Sequence, residues 1–159
     1  MPVDFNKLWD SYPLAERSAF FSELGPAWPP LLNNDAYANT CALRFSVAMI
    51  AAGHPPPPAL VASDGGLKTG RGEGVLIRVA SVKAWLTQLL GPSTWGTTKT
   101  IGADVDRLLP AYTGILLYLV PGGRDASGHV DIWKKTVCRN DIHSSFARSA
   151  TNVEVWQLA

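Results

Sequence analysis

The apolar pattern of this chain changes period part-way along, and that change limits the fold more than any other feature. Up to Leu109 the apolar residues recur at helical spacing; from Gly114 onward they run or alternate as strands do. Phe5, Leu8, Trp9 and Tyr12 make one apolar face of a short helix over 4–12, closed by Pro13. Residues 15–24 read as a second helical piece, and GPAWPPLLNND as a loop. The clearest helix opens at Asn39-Thr40-Cys41, where Asn39 or Thr40 can cap the first-turn amides, and it ends at Gly53. Its body, Ala42 to Ile50, is largely apolar and therefore central. Pro55 to Pro58 form a stiff extended segment and 63–74 a glycine-rich loop. VLIRVA (75–80) reads as a short strand, SVKAWLTQLLG (81–91) as an amphipathic helix, and 104–109 as another short helix. Then 114–120 reads as a buried strand, 121–128 as a hairpin loop, and 129–135 and 153–158 as alternating strands. Helices first and antiparallel strands after them predict an α+β fold.

Composition narrows the function. A chain of 159 residues fits one domain, 1–159, and can bury about 70% of its unfolded surface without staples. Lys+Arg 14 against Asp+Glu 13 leaves +1, which offers no electrostatic footprint for nucleic acid or an anionic membrane. The longest strongly apolar run, Ile115 to Val120, is far short of the roughly 20 residues of a membrane helix, so no membrane insertion is expected. MPVDFNKLWDSYP has no basic start followed by an apolar stretch, so any exit from the cell is expected to be signal-independent.

Cys41 begins the central helix, where free backbone amides and the helix dipole favour an anion. The position favours a thiolate, and the Cys41 amide can receive the oxyanion of a carbonyl under attack. A buried structural cysteine is the bland alternative. In GHVDIW, strand periodicity puts His129, Asp131 and Trp133 on one face and Val130 and Ile132 on the other. His129 is then placed to deprotonate Cys41 and to protonate a leaving amine. A third group must orient the ring. Asp141 is favoured, on a strand that could return beside His129; Asp131 is second, and Asn140 is a neutral candidate. Trp133, Gly128 and Lys68 are the expected substrate contacts, although Lys68 and Arg71 also suit plain solvated loop charges. Cys41, Cys138, His129 and His143 lack the close ligand pairs of structural zinc, so no metal or other cofactor is expected. A Cys41–Cys138 disulfide remains a rival that would consume the nucleophile.

Asn39-Thr40-Cys41-Ala42-Leu43-Arg44-Phe45-Ser46 resembles the signature around the active cysteine of the type VI secretion amidase effectors of the fourth family. Lys68-Thr69-Gly70, Ile77-Arg78-Val79, Trp85-Leu86 and Gly128-His129-Val130-Asp131-Ile132-Trp133 resemble that family in the same order. The resemblance implies a papain-like, NlpC/P60-related fold and a Cys-His-Asp triad of Cys41, His129 and Asp141. It implies cleavage between D-glutamate and meso-diaminopimelate in peptidoglycan stem peptides. It also implies delivery by the secretion apparatus into the periplasm of a recipient bacterium, and a cognate immunity protein as partner. Arg44 and Ser46 are expected to support the helix. A different Cys-His amidase or deamidase, or a non-catalytic peptide-binding domain, are the alternatives.

Overall fold

The computed structural model describes residues 2–97, 113–119, 128–134, 137–139 and 151–159. The helices come first: α1 (Phe5–Asp10), α2 (Arg17–Leu24), α3 (Cys41–Ala51), α4 (Pro58–Asp64) and α5 (Val79–Leu90). Strands β1 (Trp95–Thr97), β2 (Thr113–Leu119), β3 (Gly128–Lys134), β4 (Val137–Cys138) and β5 (Thr151–Gln157) follow. All five form one antiparallel sheet in the order β1-β5-β2-β3-β4, so the last strand inserts between the first and second. This is the expected α+β arrangement. No helix among the described residues is long and apolar enough to cross a membrane.

The local reasons are legible. Asp4 caps α1 by accepting from the Lys7 amide at 3.1 Å. The loop over 25–35 contains one 3₁₀ turn, Pro29–Asn33, and a second follows at Asp35–Tyr37. Pro58 stands in the first turn of α4, where its missing N–H costs nothing, and Gly65 ends that helix with φ +144°. The apolar pattern gives no sign of that helix. The expected helix over 104–109 and hairpin loop over 121–127 lie outside the described residues.

The expected strand over 75–80 does not form. Its amides are claimed before any ladder can use them. Leu76 N–H donates to Ser46 Oγ at 3.1 Å, and Ile77 and Arg78 N–H donate to the Asp64 carboxylate at 2.7 and 3.2 Å. Ser81 Oγ donates to the same carboxylate. Helix α5 therefore starts two residues earlier than the pattern suggests, with its entrance held by an acid from α4. Asp64 is 2% exposed. Asp64→Ala would leave two inward amides without an acceptor and is expected to cost about 2–4 kcal/mol, read as a lower urea midpoint.

The main core joins α1, α3 and α5 to one sheet face. Leu8, Phe45, Met49, Val82, Trp85 and Leu86 meet Ile115, Leu117, Val130 and Ile132 there. In register, Ile115 faces Ile132 and Leu117 faces Val130. A second cluster packs Phe20, Phe21, Leu24 and Trp28 against Leu43 and Val75 on the far side of α3. This explains why α3 is apolar nearly all round: it is clasped from both sides. At Gly114 an added Cβ would collide with the Trp156 carbonyl, and at Gly128 with the Tyr118 carbonyl. Both glycines let β2 approach its neighbours closely.

Candidate active site

Cys41 is the first residue of α3 and is 1% exposed. Thr40 precedes it, but the Thr40 hydroxyl accepts from Arg44 Nε at 2.8 Å instead of capping. Asn39 supplies the cap, and its Oδ1 accepts from Cys41 N–H at 3.1 Å. Its Nδ2 donates to the carbonyl oxygen of Gly128 at 2.9 Å. The Cys41 thiol lies 3.9 Å from the same oxygen. Helix start and strand start are thus joined across 89 residues of sequence.

The next residue on β3 is His129. Its ring is fully buried and hydrogen bonded through Nε2 to Asp131 Oδ2 at 2.9 Å. Asp131 is equally buried, and its other oxygen accepts from Ile132 N–H at 2.7 Å. Strand alternation puts His129 and Asp131 on one face, and Tyr118, across on β2, lies 5.6 Å ring to ring from His129. Burial alone would push the ring towards neutrality. The hydrogen bond to Asp131 and the pull of the Cys41 thiolate and the Asp131 carboxylate outweigh it and raise the pKa from 6.5 to about 9. The imidazolium is therefore the form this setting favours at neutral pH. Its interactions are strong because water does not screen them here.

The parts read from sequence can now be placed. Cys41 and His129, far apart in the chain, are brought together: Cys41 Sγ lies 3.9 Å from the carbonyl oxygen of Gly128, the residue before His129, and acts on the protonation of the ring. Asp131 meets the ring, although the sequence ranked it second; Asp141, Asn140 and His143 lie outside the described residues. Neither Cys41 nor Cys138 is in a disulfide, so no such bridge ties up the Cys41 sulfur. Among the described residues, no cluster of three or more His, Cys, Asp or Glu could hold a metal.

The expected substrate contacts fare differently. Trp133 is 0% exposed and stands opposite Gly114 in the pairing of β2 with β3. The Gly128 carbonyl is committed to Asn39 and Cys41. Lys68 lines a cavity of about 350 Å³ beside Pro56, Pro58 and Val61, with none of Cys41, His129 or Asp131 in its walls. A larger cavity of about 560 Å³ adjoins Val47, Ile50 and Ala51, at the other end of α3 from Cys41. The Cys41 amide, expected to hold an oxyanion, is occupied by Asn39 Oδ1 in this state.

Arg44 and Ser46 take supporting positions. Arg44 Nη1 donates to the Pro13 carbonyl at 2.9 Å, and its guanidinium lies 4.5 Å over the Phe20 ring. Burial pulls its pKa below the usual arginine value. Ser46 Oγ donates to the Ala42 carbonyl and receives Leu76 N–H. Sequence reasoning gave Asn39 only a share in capping and missed Asp64 altogether.

A cysteine at the start of a core helix, set against a histidine and a carboxylate on an antiparallel sheet, defines a papain-like α+β domain. A sequence model for "Type VI secretion system (T6SS), amidase effector protein 4", Tae4, matches residues 37–156. The chain belongs to that family of peptidoglycan amidase effectors. No curated protein sequence matches it. Three solved structures are similar over the whole chain. One is the type VI effector–immunity complex Tae4–Tai4 from Enterobacter cloacae, at 21% identity, with all of that chain covered and a TM-score of 0.80. Another is Tae4 from the same organism, at 22% identity, with 98% of that chain covered and a TM-score of 0.79. The third is the Tae4/Tai4 system of Salmonella typhimurium, at 18% identity, with all of that chain covered and a TM-score of 0.79. At these identities the likeness establishes the fold.

Proposed function

We infer that the protein is a cysteine amidase that cleaves the γ-D-glutamyl–meso-diaminopimelate bond of peptidoglycan stem peptides. The observation that carries the chemistry is a buried imidazole hydrogen bonded to Asp131 at 2.9 Å, on the residue that follows the Gly128 carbonyl lying 3.9 Å from Cys41 Sγ. Asp131 engages Nε2, which leaves Nδ1 as the nitrogen that exchanges a proton with sulfur. The proton from the Cys41 thiol rests on His129 as the imidazolium, and the paired thiolate attacks the γ-glutamyl carbonyl. The new C–S bond converts the carbonyl oxygen to an oxyanion. The Cys41 N–H turns to that oxyanion, a charged acceptor stronger than the neutral Asn39 Oδ1 it now holds. As the C–N bond breaks, His129 passes its proton to the departing amine. Water then adds to the thioester, one of its protons passing to His129 as sulfur leaves as the thiolate; the acid product ionises to a free carboxylate and the imidazolium–thiolate pair is restored.

The choice of bond, secretion by the type VI apparatus, action in a recipient's periplasm and blockade by a cognate immunity protein rest on family membership. The complexes of similar effectors with Tai4 proteins support the last of these. The fold alone does not select the bond. Asp131 is the ring-orienting group on the observed contact, and Asp141 remains the acid that the family spacing favours.

Digestion of purified Gram-negative sacculi, followed by mass spectrometry of defined muropeptides, tests the reading. The expected products are a stem fragment ending in D-glutamate and a fragment with the free amine of diaminopimelate. Release of a different pair of ends, or deamidation without chain cleavage, would overturn the bond assignment.

A further inference from the structure

We propose that Asn39 is a positioning residue that sets the Cys41–His129 geometry by clamping the start of α3 to the carbonyl of Gly128. This rests on the cysteine–histidine reading above and assigns Asn39 a role beyond helix capping. Its two hydrogen bonds fix which end of the amide points where. Cys41 N–H can only donate, so Oδ1 must face it; the Gly128 oxygen can only accept, so Nδ2 must face that. One planar, half-buried group therefore spans the residue bearing the sulfur and the residue next to the imidazole. No rotation of that group keeps both bonds unless helix and strand hold their spacing.

The second consequence is electrostatic. The Gly128 oxygen lies 3.9 Å from Cys41 Sγ. A neutral thiol is content beside a carbonyl oxygen, but a thiolate faces its lone pairs. The Asn39 N–H, donating to that oxygen at 2.9 Å, sets a positive hydrogen against its lone pairs beside the sulfur. The clamp therefore fixes the placement of the sulfur and offsets the carbonyl lone pairs beside it. Tyr12, Tyr118, Asp131 and Cys138 are the other titratable groups felt at this site, whereas the bridge from α3 to β3 is made by the neutral Asn39 amide.

Two substitutions separate clamping from capping. Asn39→Asp keeps an oxygen for Cys41 N–H but has no N–H for Gly128. Asn39→Ala loses both. If Asn39 clamps, both variants lose about 10²-fold in kcat with KM within about twofold, the scale of a reactive group displaced by roughly 1 Å. Both also lose the fast iodoacetamide reaction of Cys41 at mildly acidic pH, while Asn39→Asp melts within about 2 °C of wild type because its cap survives. Loss in Asn39→Ala alone would show a cap and nothing more. Loss in Asn39→Asp alone would show the effect of an added charge. Either result overturns the proposal. Alkylation needs no substrate, so it also protects the conclusion. Wild-type protein without fast alkylation at acidic pH would fail the cysteine–histidine reading itself, whereas fast alkylation retained in both variants would fail only the clamp.

Discussion

Cys41→Ala should abolish hydrolysis, lowering the rate by about 10⁴-fold or more, and His129→Ala should do nearly the same, since members of such a unit lose most of their effect together. The structure gives a reason for each. Sulfur at the head of α3 is the proposed nucleophile, placed at the first residue of the helix beside the Gly128 carbonyl. Without His129 the thiol has no base in contact and the leaving amine no acid. The double variant should be barely slower than either single one, because each already disables the same step. The measurement is release of stem fragments from sacculi, with melting curves to show that the variants are folded. Cys41→Ala protein that still released fragments at about a tenth of the wild-type rate would remove the nucleophile assignment.

The second large effect concerns the acid beside the ring. Asp131→Asn should slow turnover by about 10²–10⁴-fold, the range seen when the orienting carboxylate of a triad is neutralised. It should also move the alkaline limb of kcat/KM. In the wild type the imidazolium persists until the pH rises through about 9, so activity should fall above that point. With Asp131 neutralised, burial acts on the ring against a weaker opposing bond, and the limb should move to lower pH. Stability follows the same sign. The folded ring holds its proton more tightly than the unfolded one, so the benefit is complete below pH 6.5 and is lost as the pH rises through about 9. The gap in melting temperature between wild type and Asp131→Asn should therefore narrow over that window. Asp141→Asn is the control. If it slows turnover and shifts the limb while Asp131→Asn does neither, the orienting acid is Asp141, and Asp131 holds the ring only at rest.

Much of this was legible in the chain because it is decided locally. The helix start at Cys41 follows from Asn and Thr ahead of an apolar run. The face shared by His129 and Asp131 follows from the two-residue period of a strand. The α+β order follows from where one period gives way to the other. The sequence even contained the ring's partner, but alternation fixes only a face. Whether Asp131 points along the strand to Nε2 or past it depends on side-chain torsions set by neighbours, and the register opposite Leu116 and Tyr118 supplies those neighbours.

Tertiary structure decided the rest, for one physical reason: each outcome depends on a hydrogen-bonding group or a space that comes from far away in sequence. Residues 75–80 have the composition of a strand, yet a serine on α3 and an aspartate on α4 take the Leu76, Ile77 and Arg78 amides and leave none of these for a ladder. Trp133 has the alternation of a cleft residue, yet the folded chain buries it completely. The chain alone therefore determined which residue types carry the chemistry and on which elements they stand. Only folding could decide that sulfur and imidazole meet, because the atoms joining them, the Asn39 amide and the Gly128 carbonyl, are neighbours in space alone.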